Sequence, residues 1–77
     1  MMNMLTPREI EVLEHLSKGK SNRKIALDLH ICEQRVKNHT ASIYRKIGVP
    51  SWANSRTWAT IHAAEIIEKC YTQRRKA

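Results

Sequence analysis

Phenylalanine is absent from this 77-residue chain, and glycine occurs only at positions 19 and 48, each where a helical pattern stops. No run alternates apolar and polar residues for long enough to form a strand, so a sheet-based fold is excluded and an all-α fold is expected. No stretch approaches the roughly 20 apolar residues of a membrane helix, and no membrane partner is expected. Cysteine occurs only at 32 and 70, far apart in sequence. The opening Met1-Met2-Asn3-Met4 lacks the basic segment and apolar run of a secretory leader. The thiols are therefore expected to be free and the location cytoplasmic. His15, His30, His39 and His62 are scattered and, with the two cysteines, show no paired-ligand spacing. No metal and no other cofactor are expected. There is no glycine-rich phosphate loop and no Ser/His/Asp arrangement, and an enzyme is not expected.

Acidic residues are also scarce. Seven Asp and Glu stand against fourteen Lys and Arg, a formal net charge of +7. Such an excess on a small body favours a polyanionic partner, nucleic acid first and an anionic surface second. The length allows one domain, spanning residues 1–77 with frayed ends at 1–4 and 73–77. A chain this short buries only about 60% of the surface exposed when unfolded, so the core must be tight.

Four helices are expected. Thr6-Pro7-Arg8-Glu9 combines an N-cap, a proline at the first helical position and a capping-box glutamate. Ile10, Val12, Leu13 and Leu16 follow, and Gly19 stops this first helix, at about 7–18. Ser21 or Asn22 caps a short second helix with Ile25, Ala26 and Leu29 inward, ending near Leu29-His30. A third helix, about 33–47, buries Val36, Thr40, Ile43 and Ile47, with His39 at the border. Gly48-Val49-Pro50 ends it. A fourth begins between Ser51 and Ser55, reaches about Tyr71, and buries Ala59, Ala63, Ile66 and Cys70.

A short helix, a tight turn and a longer helix form the helix-turn-helix layout, whose second helix enters the DNA major groove. Opposite the core stripe of the third helix lie Gln34, Lys37, Asn38, Ala41, Tyr44 and Arg45, with no acidic residue among them. A merely solvated face would mix Glu with Lys in i, i+4 pairs. Lysine and arginine suit guanine edges and phosphates, asparagine suits adenine, and the Ala41 methyl suits a thymine methyl. Glu9, Glu11 and Glu33 are read as first-turn residues that complement helix dipoles.

The residues carry a family resemblance. Leu5-Thr6-Pro7-Arg8-Glu9 with Val12-Leu13, Gly19-Lys20-Ser21-Asn22 leading to Ile25-Ala26, Val36-Lys37-Asn38-His39 with Ile43 and Lys46-Ile47-Gly48-Val49, and Arg56-Thr57-Trp58-Ala59 with Ala63 stand in series over residues 5–63. Together they resemble the LuxR/FixJ-type (GerE-like) helix-turn-helix domain of bacterial transcription regulators. The resemblance implies a four-helix domain with the third helix as recognition helix. It implies base-edge roles for Lys37, Asn38 and Ala41, and backbone roles for Ser21, Asn22, Arg35 and Lys46. It also implies a two-fold contact through the last helix. Three departures stand out: Cys32 where the family usually has a serine N-cap, Arg35 where a threonine is usual, and a longer segment from Pro50 to Ser55.

These features lead to an expectation of sequence-specific double-stranded DNA binding as a transcription regulator and homodimer, with Arg45 added to the backbone contacts. Trp58, Ile61, His62 and Glu65 are expected on the dimer face, and Trp52 is expected to complete the core. The alternative is a stand-alone helix-turn-helix that binds and modulates another regulator protein through the fourth helix. A regulator protein and RNA polymerase are candidate further partners. The Met1 start favours a stand-alone regulator over an excised output domain.

Overall fold

In a computed structural model, backbone is described for residues 5–76 and side chains for residues 5–70. The chain forms α1 (Pro7–Ser17), α2 (Asn22–Leu29), α3 (Glu33–Ile47) and α4 (Ser55–Lys76), with no strand among the described residues. The capping box forms in full. Thr6 Oγ1 accepts from Glu9 N–H at 3.2 Å, and Glu9 Oε1 accepts from Thr6 N–H at 2.8 Å. Gly19 and Gly48 take left-handed backbone, at φ 77° and 71°, which halts α1 and α3. At the end of α2 the sequence offers no glycine, and His30 takes the left-handed cap instead, at φ 58°. Ile31 N–H then bonds the Ala26 carbonyl at 3.0 Å, sealing the helix end.

Ser21 is the N-cap of α2, and its hydroxyl accepts from Lys24 N–H at 3.2 Å. Eight residues are too few for an isolated helix in water. Burial of Ile25 and Ala26 against α3 holds α2 in place. Cys32 occupies the N-cap of α3 but makes no side-chain cap bond, since sulfur is a weak acceptor. Cys32→Ser is expected to raise stability by about 1 kcal/mol, or roughly 4–8 °C in Tm, read by thermal unfolding; an unchanged Tm would show that the cap position is indifferent.

The stripes expected from the sequence are buried on all four helices, with Leu29 half-buried at the core edge. Leu13, Leu16, Ile25 and Ile43 are fully enclosed. Leu5, ahead of α1, and the Glu9 side chain join them inside. α1 packs on α4 and α3, and α2 packs mainly on α3. Ala59 and Ala63 bring α4 close to α1, because small side chains permit a short interaxial distance. The first turn of α4 is set by Asn54, whose Oδ1 accepts from Thr57 N–H at 3.0 Å.

Two details differ from expectation. α4 continues to Lys76, past Tyr71. Neither glycine nor proline follows Tyr71, and Arg74, Arg75 and Lys76 suit a helix C-terminus. Residues 73–76, expected to fray, are thus helical in backbone, while Met1–Met4 and Ala77, also expected to fray, lie outside the described residues. Trp52 does not complete the core. It sits in a turn closed by Ala53 N–H to Pro50 C=O at 3.1 Å and is 82% exposed.

Candidate nucleic-acid interface

α2, the His30–Cys32 connection and α3 form the helix-turn-helix. α3 is two-sided. Val36, Thr40, Ile43 and Ile47 lie in the core, whereas Gln34, Arg35, Lys37, Asn38, Ala41 and Arg45 are exposed. At 3.6 residues per turn, positions 34, 37, 38, 41 and 45 fall on one outward strip. Along it, Gln34 Nε2 donates to Asn38 Oδ1 at 3.1 Å, so Asn38 keeps both amide hydrogens and one acceptor lone pair for a further partner. Asp and Glu are absent from α3 beyond Glu33. Tyr44, expected on this strip, is half-buried and packs against the core. Burial raises its phenol pKa, offset in part by the nearby Arg56 charge and hydrogen bonds with Thr40 and Arg56.

Behind the strip, a polar frame fixes α3 to α1. The Glu9 carboxylate is 4% exposed. Its Oε1 accepts from Lys46 Nζ at 2.8 Å and its Oε2 from Ser42 Oγ at 2.6 Å. Burial raises the Glu9 pKa, but the hydrogen bonds from Lys46, Ser42 and the Thr6 amide, with the Lys46 charge, more than reverse this and lower it from 4.5 to about 2. Sequence reasoning assigned Glu9 to the capping box and helix dipole alone. Its second role depends on a contact 37 residues away in sequence, which helical spacing within α1 does not reveal. Lys46, expected at the DNA backbone, is therefore engaged inside the fold.

A second frame supports α2. Lys20 Nζ bonds Asp28 Oδ2 at 2.8 Å and His15 Nδ1 at 2.8 Å, and Lys24 Nζ reaches Asp28 Oδ1 at 3.2 Å. Hydrogen bonds from the two lysines lower the Asp28 pKa. Ser21 is exposed and Asn22 half-exposed at the start of α2. Asn22 Oδ1 accepts from Arg56 Nη1 at 2.9 Å, and Arg56 Nη2 donates to the Lys20 carbonyl. Sequence reasoning placed Arg56 in the family-like last-helix motif without a role.

The residues expected at a dimer face lie on α4. Trp58 is half-buried against the core and stacks at a tilt on His62, ring centroids 4.2 Å apart. Ile61 is 71% exposed. His62 Nδ1 and Glu65 Oε2 are 3.9 Å apart, and Glu65 pairs with Lys69 at 3.5 Å. Trp52, Ala53, Asn54, Thr57, Trp58 and Ile61 border an open groove of about 280 Å³. Among the described residues, no three His, Cys, Asp or Glu side chains gather as a metal site, and no helix is long and apolar enough to cross a membrane.

A four-helix unit whose second and third helices form a helix-turn-helix with a basic, outward α3 defines the class. Within it, residues 3–63 match the family described as GerE, bacterial regulatory proteins, luxR family, and the chain belongs to that family. This is a family of regulatory proteins and not of enzymes. The chain is 36% identical over 74 residues to the glycerol metabolism activator of Pseudomonas putida, covering 96% of this chain and 32% of that protein. It is 42% identical over 62 residues to the transcriptional regulatory protein DegU of Brevibacillus brevis, covering 80% and 25%. It is 46% identical over 59 residues to the nitrate/nitrite response regulator protein NarP of Escherichia coli K12, covering 77% and 26%. The chain thus spans a quarter to a third of the length of these relatives. No solved structure matches it significantly.

Proposed function

We propose that this chain is one helix-turn-helix unit that regulates transcription in the bacterial cytoplasm by binding double-stranded DNA sequence-specifically, as a symmetric pair. The observation that carries the proposal is the exposed strip of α3, where Lys37, Asn38, Ala41 and Arg45 stand outward while the opposite stripe is buried. α3 lies in the major groove. Lys37 reaches guanine N7 or O6, Asn38 makes a bidentate pair with adenine, and the Ala41 methyl meets a thymine methyl. Ser21, Asn22, Arg35 and Arg45 rest on phosphates and set the register. Lys46 holds α3 through Glu9, and its charge is already matched there. Trp58, Ile61, His62 and Glu65 pair two copies, so the half-sites lie about one helical turn apart.

Selection from random duplexes, followed by titration at several salt concentrations, tests the division of labour. Lys37→Ala is expected to blur preference at one base position. Arg45→Ala is expected to weaken all duplexes alike and to flatten the slope of log K against log salt by about 0.9. Equal losses on every sequence from both variants would refute the assignment.

The exposure of Trp52 and Ile61 beside the α4 groove favours a second reading, in which α4 binds another regulator protein or RNA polymerase. Tight protein binding that survives Lys37→Ala, beside weak and sequence-indifferent DNA affinity, would replace the first reading with this one.

A further inference from the structure

Arg56 stands in the first turn of α4, where the helix dipole disfavours a cation and where no acidic residue accompanies it. Its guanidinium finds compensation elsewhere. One nitrogen, Nη1, donates to Asn22 Oδ1 at 2.9 Å, and Nη2 donates to the main-chain carbonyl of Lys20. The Arg56 charge also acts on the Tyr44 phenol of α3, lowering its pKa against the rise caused by burial. One side chain thus joins α4 to the α1–α2 turn and to the first residue of α2. The two acceptors, Lys20 in the turn and Asn22 at the first position of α2, flank Ser21, the N-cap of α2.

The consequence lies in the orientation of Asn22. A carboxamide has one acceptor oxygen and one donor nitrogen. With Oδ1 held by Arg56, Asn22 has its two Nδ2 hydrogens left for a partner. A phosphate oxygen only accepts. The clamp therefore selects the amide orientation that matches a phosphate and disfavours the flipped one. The planar fork of arginine is what allows two acceptors to be held at once; a lysine at the same position supplies a point charge without that geometry.

We propose that Arg56 is a positioning residue for DNA binding, acting through Asn22 and the Lys20 carbonyl to preset the α1–α2 turn as a phosphate donor. The inference rests on the DNA-binding function proposed above. It separates Arg56 from residues that touch DNA: the guanidinium is spent on protein acceptors, and its contribution to affinity is exerted at second hand.

The test uses the full 77-residue chain and a duplex chosen by selection, at a temperature where thermal unfolding shows each variant fully folded. Arg56→Lys is expected to weaken binding about tenfold, the order of one lost charge-assisted or phosphate hydrogen bond. The ratio of affinities for the chosen and an unrelated duplex should stay unchanged, because no base contact is lost. The salt slope should also stay unchanged, because no cation leaves a phosphate. Asn22→Ala, which leaves the core untouched, should weaken binding by a similar factor. Adding Asn22→Ala to Arg56→Lys should then cost little more, since both break one chain of contacts. Wild-type affinity in Arg56→Lys would overturn the inference alone, as would a slope flattened by about 0.9 in Arg56→Gln, or losses that simply multiply in the double variant. Failure of the wild-type chain to bind any duplex would overturn the DNA-binding function, and this inference with it.

Discussion

Glu9→Ala is expected to remove about 3–5 kcal/mol of stability, measured by urea or thermal unfolding followed by circular dichroism at pH 7. Three groups depend on this carboxylate: the Lys46 ammonium, the Ser42 hydroxyl and the Thr6 amide. Removing one partner of a buried pair leaves the other charge uncompensated, which costs more than the pair itself contributes. A domain of this size has a total stability of about 5–10 kcal/mol, so the variant should be close to the unfolding threshold. A surface ion pair such as Arg8–Glu11, at 3.8 Å and with both side chains about half exposed, should by contrast change stability by less than about 1 kcal/mol when broken.

The same carboxylate gives a pH dependence with a definite sign. Its pKa is about 2 in the folded chain against 4.5 for the ordinary group. A depressed acid contributes stability that is present above the unfolded pKa and lost as pH falls through the folded one. The window therefore runs from about pH 4.5 down to about 2, and the linked loss is about 3 kcal/mol. Hydrogen bonds from Lys20 and Lys24 also lower the Asp28 pKa, so the informative quantity is the difference between the wild-type chain and Glu9→Gln. The wild type should lose stability faster across that window. Parallel pH profiles for the two chains would show that Glu9 is not held as a charged partner.

The double variant Lys37→Ala with Asn38→Ala should carry the largest functional effect. Each base-edge contact contributes about 1–3 kcal/mol of discrimination. Losing both should collapse the affinity ratio between a selected site and unrelated DNA by roughly 10²–10⁴-fold. Both side chains are exposed, so the fold and its Tm should be nearly unchanged, and weak, salt-sensitive binding to any duplex should persist. The Gln34–Asn38 hydrogen bond adds a finer expectation: Gln34→Ala should relax preference chiefly at the base read by Asn38. Retention of the affinity ratio within threefold in the double variant would remove these residues from base recognition.

Local signals made most of the fold legible. The Thr6–Glu9 capping box, the two glycine stops and the proline after Gly48 are short-range chemistry, and the four helices begin and end close to where those residues place them. Core stripes read at helical spacing were likewise correct, because each helix buries one side. Trp52 is carried outward by its own local turn between Pro50 and Ala53, whereas the second roles of Glu9, Lys46 and Arg56 are decided by which helix lies opposite. That information resides in packing between residues more than 30 positions apart. An exposed tryptophan also defies a rule based on hydrophobicity alone, since a turn can carry a large apolar side chain outward when the core beneath is already filled. The strip of α3 was legible for the opposite reason. Once Val36, Thr40, Ile43 and Ile47 are inward, helix geometry forces Lys37, Asn38 and Ala41 outward.

Amide chemical-shift mapping by NMR, with the isotope-labelled chain titrated against a selected duplex, tests most directly whether α3 is the surface that meets DNA. The expected result is that the largest changes fall on residues 34–45 of α3 and at Ser21 and Asn22, with the α1 core stripe unmoved. Changes confined to Trp52, Trp58 and Ile61, with Lys37, Asn38 and Ala41 unaffected at saturation, would contradict it.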